Sequence, residues 1–274
     1  MLICPESTYT TELGKVMDGY TGKMLTPYLK KLLCNGCLSW TLLCACRVDT
    51  DLHQKVCEFF QKLPDNDNSR HRLHMEIAWP TIIKISGGSI STFNTNRFQV
   101  DKIPYDFNDY RNATPYHAVK TDIKWMEIMN RSLRNANERY ETRKTEICGQ
   151  SDVISKSGSR TAVLFISHIV DNEMIDRYCF LKKGCDEMGY DLFWAMDADS
   201  SFKDYVPSEI QKFEFSYDEY EKEFPNQVFF YKRKYNMTPS VPNLFYLHNR
   251  GKYDYIWVVE YDVCCYGKWS QFFK

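Results

Sequence analysis

The apolar residues in the C-terminal part of this chain fall in short unbroken runs. Residues 161–167 (TAVLFIS) and 256–259 (IWVV) are continuous, β-branched and aromatic, as a strand reads when helices cover both of its faces. Between these runs, 173–188 carries apolar residues at helical spacing and stops at Gly189, a residue suited to a helix C-terminus. A second buried-type run, 191–196, ends at Asp197, and a short helix is expected around 243–249. The pattern predicts a β-α-β unit followed by a further strand, hence parallel strands joined by crossovers.

The N-terminal part carries a weaker signal. Residues 39–48 alternate as one strand, 51–63 read as a helix, and 75–86 read as a second helix interrupted at its first turn by Pro80 and ended by Gly87 and Gly88. Short strands are expected at 89–94 and 97–100. A charged helix over 125–145, with Met126, Met129, Leu133 and Ala136 on one face, leads into the Ser- and Gly-rich stretch 148–160. The chain therefore divides into 1–122, a helix and linker over 123–160, and 161–274.

Two of the C-terminal runs end in paired acids. The run 256–259 stops at Glu260 and Asp262, one residue apart, which puts two carboxylates at the carboxyl end of a central parallel strand, where open α/β sheets bind ligands. Magnesium and manganese take oxygen ligands and keep waters or substrate phosphates in the rest of their shell, so two protein carboxylates suffice to hold one against a diphosphate. The other run offers a competing pair, Asp197 and Asp199. Tyr190, Asp191, Trp194, Asp197 and Asp199 align without gaps onto Tyr253, Asp254, Trp257, Glu260 and Asp262, as expected of two parallel strands meeting the same demands.

Composition narrows the function classes. With 274 residues, 43% of them hydrophobic, the chain can bury a sizeable core, and 35 Lys and Arg against 36 Asp and Glu supply no broad attraction for nucleic acid or an acidic membrane. No apolar run reaches the length of a membrane-spanning segment, and the first residues lack the pattern of a signal peptide. The 11 cysteines, an odd number with Cys264 and Cys265 adjacent, suit reduced thiols and a cytoplasmic location. Cys34, Cys37, Cys44 and Cys46 invite a zinc reading, but the 37–46 spacing matches no common module, and buried structural thiols are the alternative.

The segment with Glu260, Tyr261 and Asp262, preceded by a hydrophobic strand and followed by Gly267 and Trp269, resembles the Asp-x-Asp region of glycosyltransferases with the GT-A fold. The stretch His74 to Thr81, then Gly87 and Gly88, and Tyr116 to Lys120, is similar to the acceptor-side half of the same kind of enzyme, which normally follows the acidic motif. Here it comes first. The resemblance implies an α/β, Rossmann-like, mostly parallel mixed sheet flanked by helices, either permuted or built from two half-domains. Three explanations stay open: a circular permutation forming one domain, a piece of a tandem array, or a faulty gene prediction.

The resemblance also implies chemistry. Glu260 and Asp262 would hold Mn2+ or Mg2+ against a nucleotide-sugar donor, with His117 as a further metal or diphosphate contact and Lys120 close to the diphosphate. Asp197 or Asp199, and His168, would face the nucleoside. Glu76, at the start of a helix beside Trp79, would be the general base or acceptor-orienting carboxylate, and Trp79, Trp257 and Trp269 are candidates for stacking on sugars or for the core. The acceptor would be a glycan or a lipid-linked hydroxyl. Cys264 and Cys265 stand where a basic or polar residue is expected, and the chain stops before the helix expected after Trp269. The competing reading is a non-catalytic or truncated fragment of a tandem glycosyltransferase that acts as a nucleotide-binding or interaction domain. An exposed sheet edge on a half-domain would favour a homodimer by exchange of halves.

Overall fold

The computed structural model describes residues 2–4, 7–10, 38–41, 45–63, 71–72, 75–92, 99–100, 114–117, 159–201, 203–228, 241–266 and 268–274. The elements are β1 (Leu2–Cys4), β2 (Ser7–Thr10), β3 (Leu38–Thr41), β4 (Ala45–Asp49), α1 (Thr50–Gln61), β5 (His71–Arg72), α2 (Met75–Ile85), β6 (Ile90–Thr92), β7 (Gln99–Val100) and β8 (Thr114–His117) in the N-terminal part. The C-terminal part adds β9 (Thr161–Ile166), α3 (Asn172–Met188), β10 (Asp191–Asp197), β11 (Lys212–Phe215), α4 (Tyr217–Glu223), β12 (Gln227–Val228), α5 (Val241–His248), β13 (Tyr255–Glu260), β14 (Cys264–Tyr266) and α6 (Trp269–Phe272). Lys120, Cys34, Cys37, Cys44, and the expected helix and linker apart from Ser159 and Arg160 lie outside the described residues.

Seven strands form one mixed, mostly parallel sheet in the order β11, β10, β9, β13, β4, β1, β6. β4 alone runs against its neighbours, while the other adjacent pairs are parallel. Strand periodicity sends successive side chains to opposite faces. Ala162, Leu164 and Ile166 of β9 join Phe193, Ile256, Val258 and residues of α1, α2, α4 and α5 in one core layer. Val163, Phe165, Trp194, Trp257 and Val259 join Met174, Tyr178, Leu181 and Cys185 of α3 and Trp269 and Phe273 in the other. Every residue of β9 is buried because helices cover both faces, which explains its unbroken apolar run.

Local chemistry sets the helix ends. The Asp171 side chain accepts from the backbone N–H of Met174 at 2.8 Å to start α3, and Gly189 ends it at φ 71°, a left-handed conformation that glycine adopts without a Cβ penalty. Gly184, in the middle of α3, permits a close approach: a Cβ there would lie 2.3 Å from Cβ of Trp269 and 3.0 Å from the backbone N of Ser270. So α6 lies directly against α3.

The chain departs from the sequence expectation at two places in the N-terminal part. Where one strand is expected over 39–48, Leu38–Thr41 and Ala45–Asp49 lie in two different sheets: β3 pairs with β2, and β4 enters the main sheet between β13 and β1. Alternation specifies which face is buried and not which strand is the neighbour. Helix α2 also runs through Pro80. Proline forfeits one N–H bond, to the carbonyl of Glu76, and burial of Ala78, Trp79, Ile82 and Ile83 outweighs that loss.

The two parts of the chain meet along β13 and β4, with Ile256 opposite Val48 and Trp257 opposite Arg47. Thr50 donates its backbone N–H to the Asp254 carbonyl at 3.0 Å, β5 pairs with β12, and β8 pairs with β14. β4 covers the edge of β13, and β11 and β6 stand at the two ends of the sheet. Among the described residues no helix is long and apolar enough to cross a membrane.

Candidate functional site at the carboxyl end of the sheet

From β9 the chain crosses through α3 to β10 and then reaches β11, before returning through α5 to β13 on the other side of β9. The order reverses between β9 and β13, and the crevice outside the carboxyl ends of such a strand pair is where open α/β sheets accept ligands. The residues at that point are Ser167 and His168 after β9, and Glu260, Tyr261 and Asp262 at the end of β13.

The backbone there is tightly fixed. Tyr261 donates its N–H to the Ile166 carbonyl at 2.9 Å, continuing the β9–β13 ladder, and Val263 donates to the Glu260 carbonyl at 2.9 Å, closing a four-residue turn. Inside that turn the Tyr261 carbonyl accepts from Nη1 of Arg177 at 2.8 Å, and Nη2 of the same guanidinium donates to Glu173 at 2.5 Å. Arg177 is 8% exposed, so its charge lies under the acidic turn and is matched by Glu173 one helical turn earlier on α3. The His168 ring meets the Tyr261 ring edge to face with centroids 4.9 Å apart. After β9, Ser167 Oγ donates to the Ile169 carbonyl at 2.7 Å and receives the Ile169 N–H at 3.1 Å, shaping the loop that carries His168.

The two carboxylates of the turn differ in exposure. Glu260 is half-buried, and Asp262 is 2% exposed. Among the described residues no three His, Cys, Asp or Glu side chains converge as a metal-binding group. His117 enters through backbone register. Tyr116 of β8 stands opposite Cys264 of β14, so the antiparallel ladder carries the next residue, His117, to the level of Val263, beside the acidic turn.

The other acidic pair has a different use. Asp197 is half-buried at the end of β10, and its Oδ1 accepts the N–H of Asp199 at 2.9 Å, while its carbonyl accepts from Ser200 at 3.0 Å. This is an Asx turn that the pair builds for itself. Asp199 is exposed, and Lys203 Nζ donates to the Ala198 carbonyl between them at 2.9 Å. Both acids stand at the same end of the sheet as Glu260, two strands away. Glu76 lies in the first turn of α2, one turn before Trp79; its side chain, like that of His117, is outside the described residues.

Burial decides the tryptophan question. Trp79, Trp257 and Trp269 are 1%, 2% and 3% exposed, so all three are core and none offers a face to a sugar. Cys46 and Cys57 are likewise buried.

Sequence reasoning missed Arg177. Its signal was the spacing Glu173-x-x-x-Arg177 at the start of a helix, which reads as an ordinary surface pair until the position is seen to border the buried stripe of Met174, Tyr178 and Leu181. Comparison with known protein families, curated proteins and solved structures finds no match to this chain.

Proposed function

We propose that the chain is a metal-dependent glycosyltransferase with a permuted GT-A-like domain, moving a sugar from a nucleotide-sugar donor to a hydroxyl of a glycan or lipid-linked acceptor. The observation that carries this reading is the acidic turn: Glu260 and Asp262 end a parallel strand where the strand order reverses, with β8 drawn alongside. Permutation is supported by the completion of the β9–β13 sheet by β4, β1 and β6, which precede it in the chain. One domain with its halves in reversed order requires such a sheet; two unrelated halves do not.

In this reading Glu260 and Asp262 hold Mn2+ or Mg2+, and His117 adds a ligand or a diphosphate contact. The donor set fits: carboxylate oxygens with one imidazole suit a hard or borderline divalent cation that keeps positions for a diphosphate. When bound, the cation supplies positive charge to the departing nucleoside diphosphate. Asp199 and His168, exposed at the ends of β10 and β9, face the nucleoside, while Asp197 holds its turn. Lys120 contacts the diphosphate, and Glu76 is the acceptor-side carboxylate.

The burial of Asp262 favours a second reading, a domain that binds nucleotide without turnover, because both oxygens of its carboxylate are shut off from solvent. Thermal stability with Mn2+ and a panel of nucleoside diphosphates tests the site itself through binding linkage. A rise that needs both metal and one nucleotide, and is lost in Asp262→Asn, supports a working donor site; no rise with any nucleotide overturns both readings. Sugar release from the matching nucleotide-sugar then separates enzyme from binding domain.

A further inference from the structure

We infer that Arg177 is a positioning residue that sets the geometry of the acidic turn for its cation, an inference that rests on the metal reading of Glu260 and Asp262. The argument begins with the turn. Glu260 to Val263 form a four-residue turn closed by the Val263 N–H on the Glu260 carbonyl. The two common forms of such a turn differ by a flip of the central peptide, here Tyr261–Asp262, and the flipped form demands positive φ at the third residue. That residue is Asp262, and an aspartate adopts the left-handed region only at a cost. The oxygen that reports the flip is the Tyr261 carbonyl, and this is the atom that Arg177 Nη1 holds at 2.8 Å.

The guanidinium is built for this task. It is 8% exposed, it comes from α3, which is packed against the sheet, and its other terminal nitrogen is fixed by Glu173 at 2.5 Å. The fork of Arg177 thus ties a rigid helix to the middle of the turn, and the direction of the central peptide determines where the Asp262 side chain leaves the backbone relative to Glu260. A neutral or shorter residue would leave the Tyr261 carbonyl without this donor and allow the two carboxylates to separate. Arg177 acts through the peptide between the two carboxylates, whose carbonyl it holds.

The test measures Mn2+ affinity by the loss of the free aquo-ion signal in electron paramagnetic resonance, on the full chain, for wild type, Arg177→Met and Arg177→Lys. Melting temperature in chelator provides a separate measure of the fold. Groups that orient a metal site from behind its ligands typically contribute about 10–100-fold in affinity, and a loss of that order is expected for Arg177→Met. Arg177→Lys, which keeps the charge but not the fork, is expected to fall between Arg177→Met and wild type. Equal affinity of folded Arg177→Met and wild type overturns the inference while leaving the metal site standing. Absence of Mn2+ binding by wild type overturns the metal reading and this inference together. If Arg177→Met does not fold, Arg177→Lys decides: weaker binding at an unchanged melting temperature supports the role, and binding equal to wild type removes it.

Discussion

The Nε2 of His53 lies 3.1 Å from Oδ1 of Asn243, joining helix α1 to helix α5 across 190 residues of sequence. Since Oδ1 can only accept, Nε2 carries the proton and donates. Both side chains are fully buried, with the Trp79 ring edge-on to the imidazole at 4.6 Å and the Tyr246 ring stacked at 5.6 Å. Among the described residues the Nδ1 of His53 and the Nδ2 of Asn243 have no hydrogen-bond partner. Burial pulls the His53 pKa down to about 3, opposed in part by the bond to Asn243.

The first prediction is therefore a pH dependence of stability. The folded state resists protonating His53 while the unfolded chain takes a proton near the ordinary histidine value, so its contribution is intact above that value. It is lost progressively as pH falls toward the folded value, at up to about 1.4 kcal/mol per pH unit. Urea midpoints at pH 7 and pH 5 should differ, and His53→Gln should reduce the difference. An identical pH slope in the variant would show that other groups govern it.

Asn243→Ala should destabilise the fold by about 1–3 kcal/mol, because it leaves the buried Nε2–H of His53 without an acceptor. Equilibrium unfolding at pH 7 measures this. A neutral result would mean that α1 and α5 do not rely on this bond.

Gly184→Ala places a methyl group on the Cβ of Trp269, 2.3 Å away, where α6 crosses α3. Overpacking of this kind costs about 1–3 kcal/mol, and the gain from alanine's helix propensity returns only about 1 kcal/mol. A fall in melting temperature is expected. An unchanged melting temperature would show that α6 is not seated there.

The two acidic pairs should separate by mutation. Asp197→Asn keeps an oxygen for the Asp199 N–H, so stability and Mn2+ binding should both be retained. Glu260→Gln and Asp262→Asn should each weaken Mn2+ binding. If Asp197→Asn is the variant that loses the metal, the assignment of the pairs is reversed.

Tyr253 donates its hydroxyl to Asp191 at 2.7 Å, tying the entrance of β13 to the start of β10. Burial, then the bond to the carboxylate, holds its phenol above the ordinary tyrosine range. Tyr253→Phe should cost about 1 kcal/mol in a denaturant titration, and no loss would mean that this bond contributes nothing net in water.

Much of the C-terminal part was legible in the residues themselves. The run TAVLFIS became β9, the helical spacing ending at Gly189 became α3, and the run before Glu260 became β13, because burial on both faces and helix capping are local demands written in neighbouring residues. The acidic pair at the end of β13 was visible for the same reason. Residues 39–48 were misread as one strand because alternation records a buried face without naming a partner.

What only the tertiary structure decided is which distant groups meet. The insertion of β4 between β13 and β1, the His53–Asn243 bond, the core burial of Trp79 and Trp269, the 2% exposure of Asp262 and the hold of Arg177 on Tyr261 all depend on residues far apart in the chain. A strand's own pattern is the same whichever edge it joins, and an arginine beside a glutamate on a helix reads the same in water as under a turn. Long-range pairing is chosen by the packing of the whole core, so it enters no local pattern.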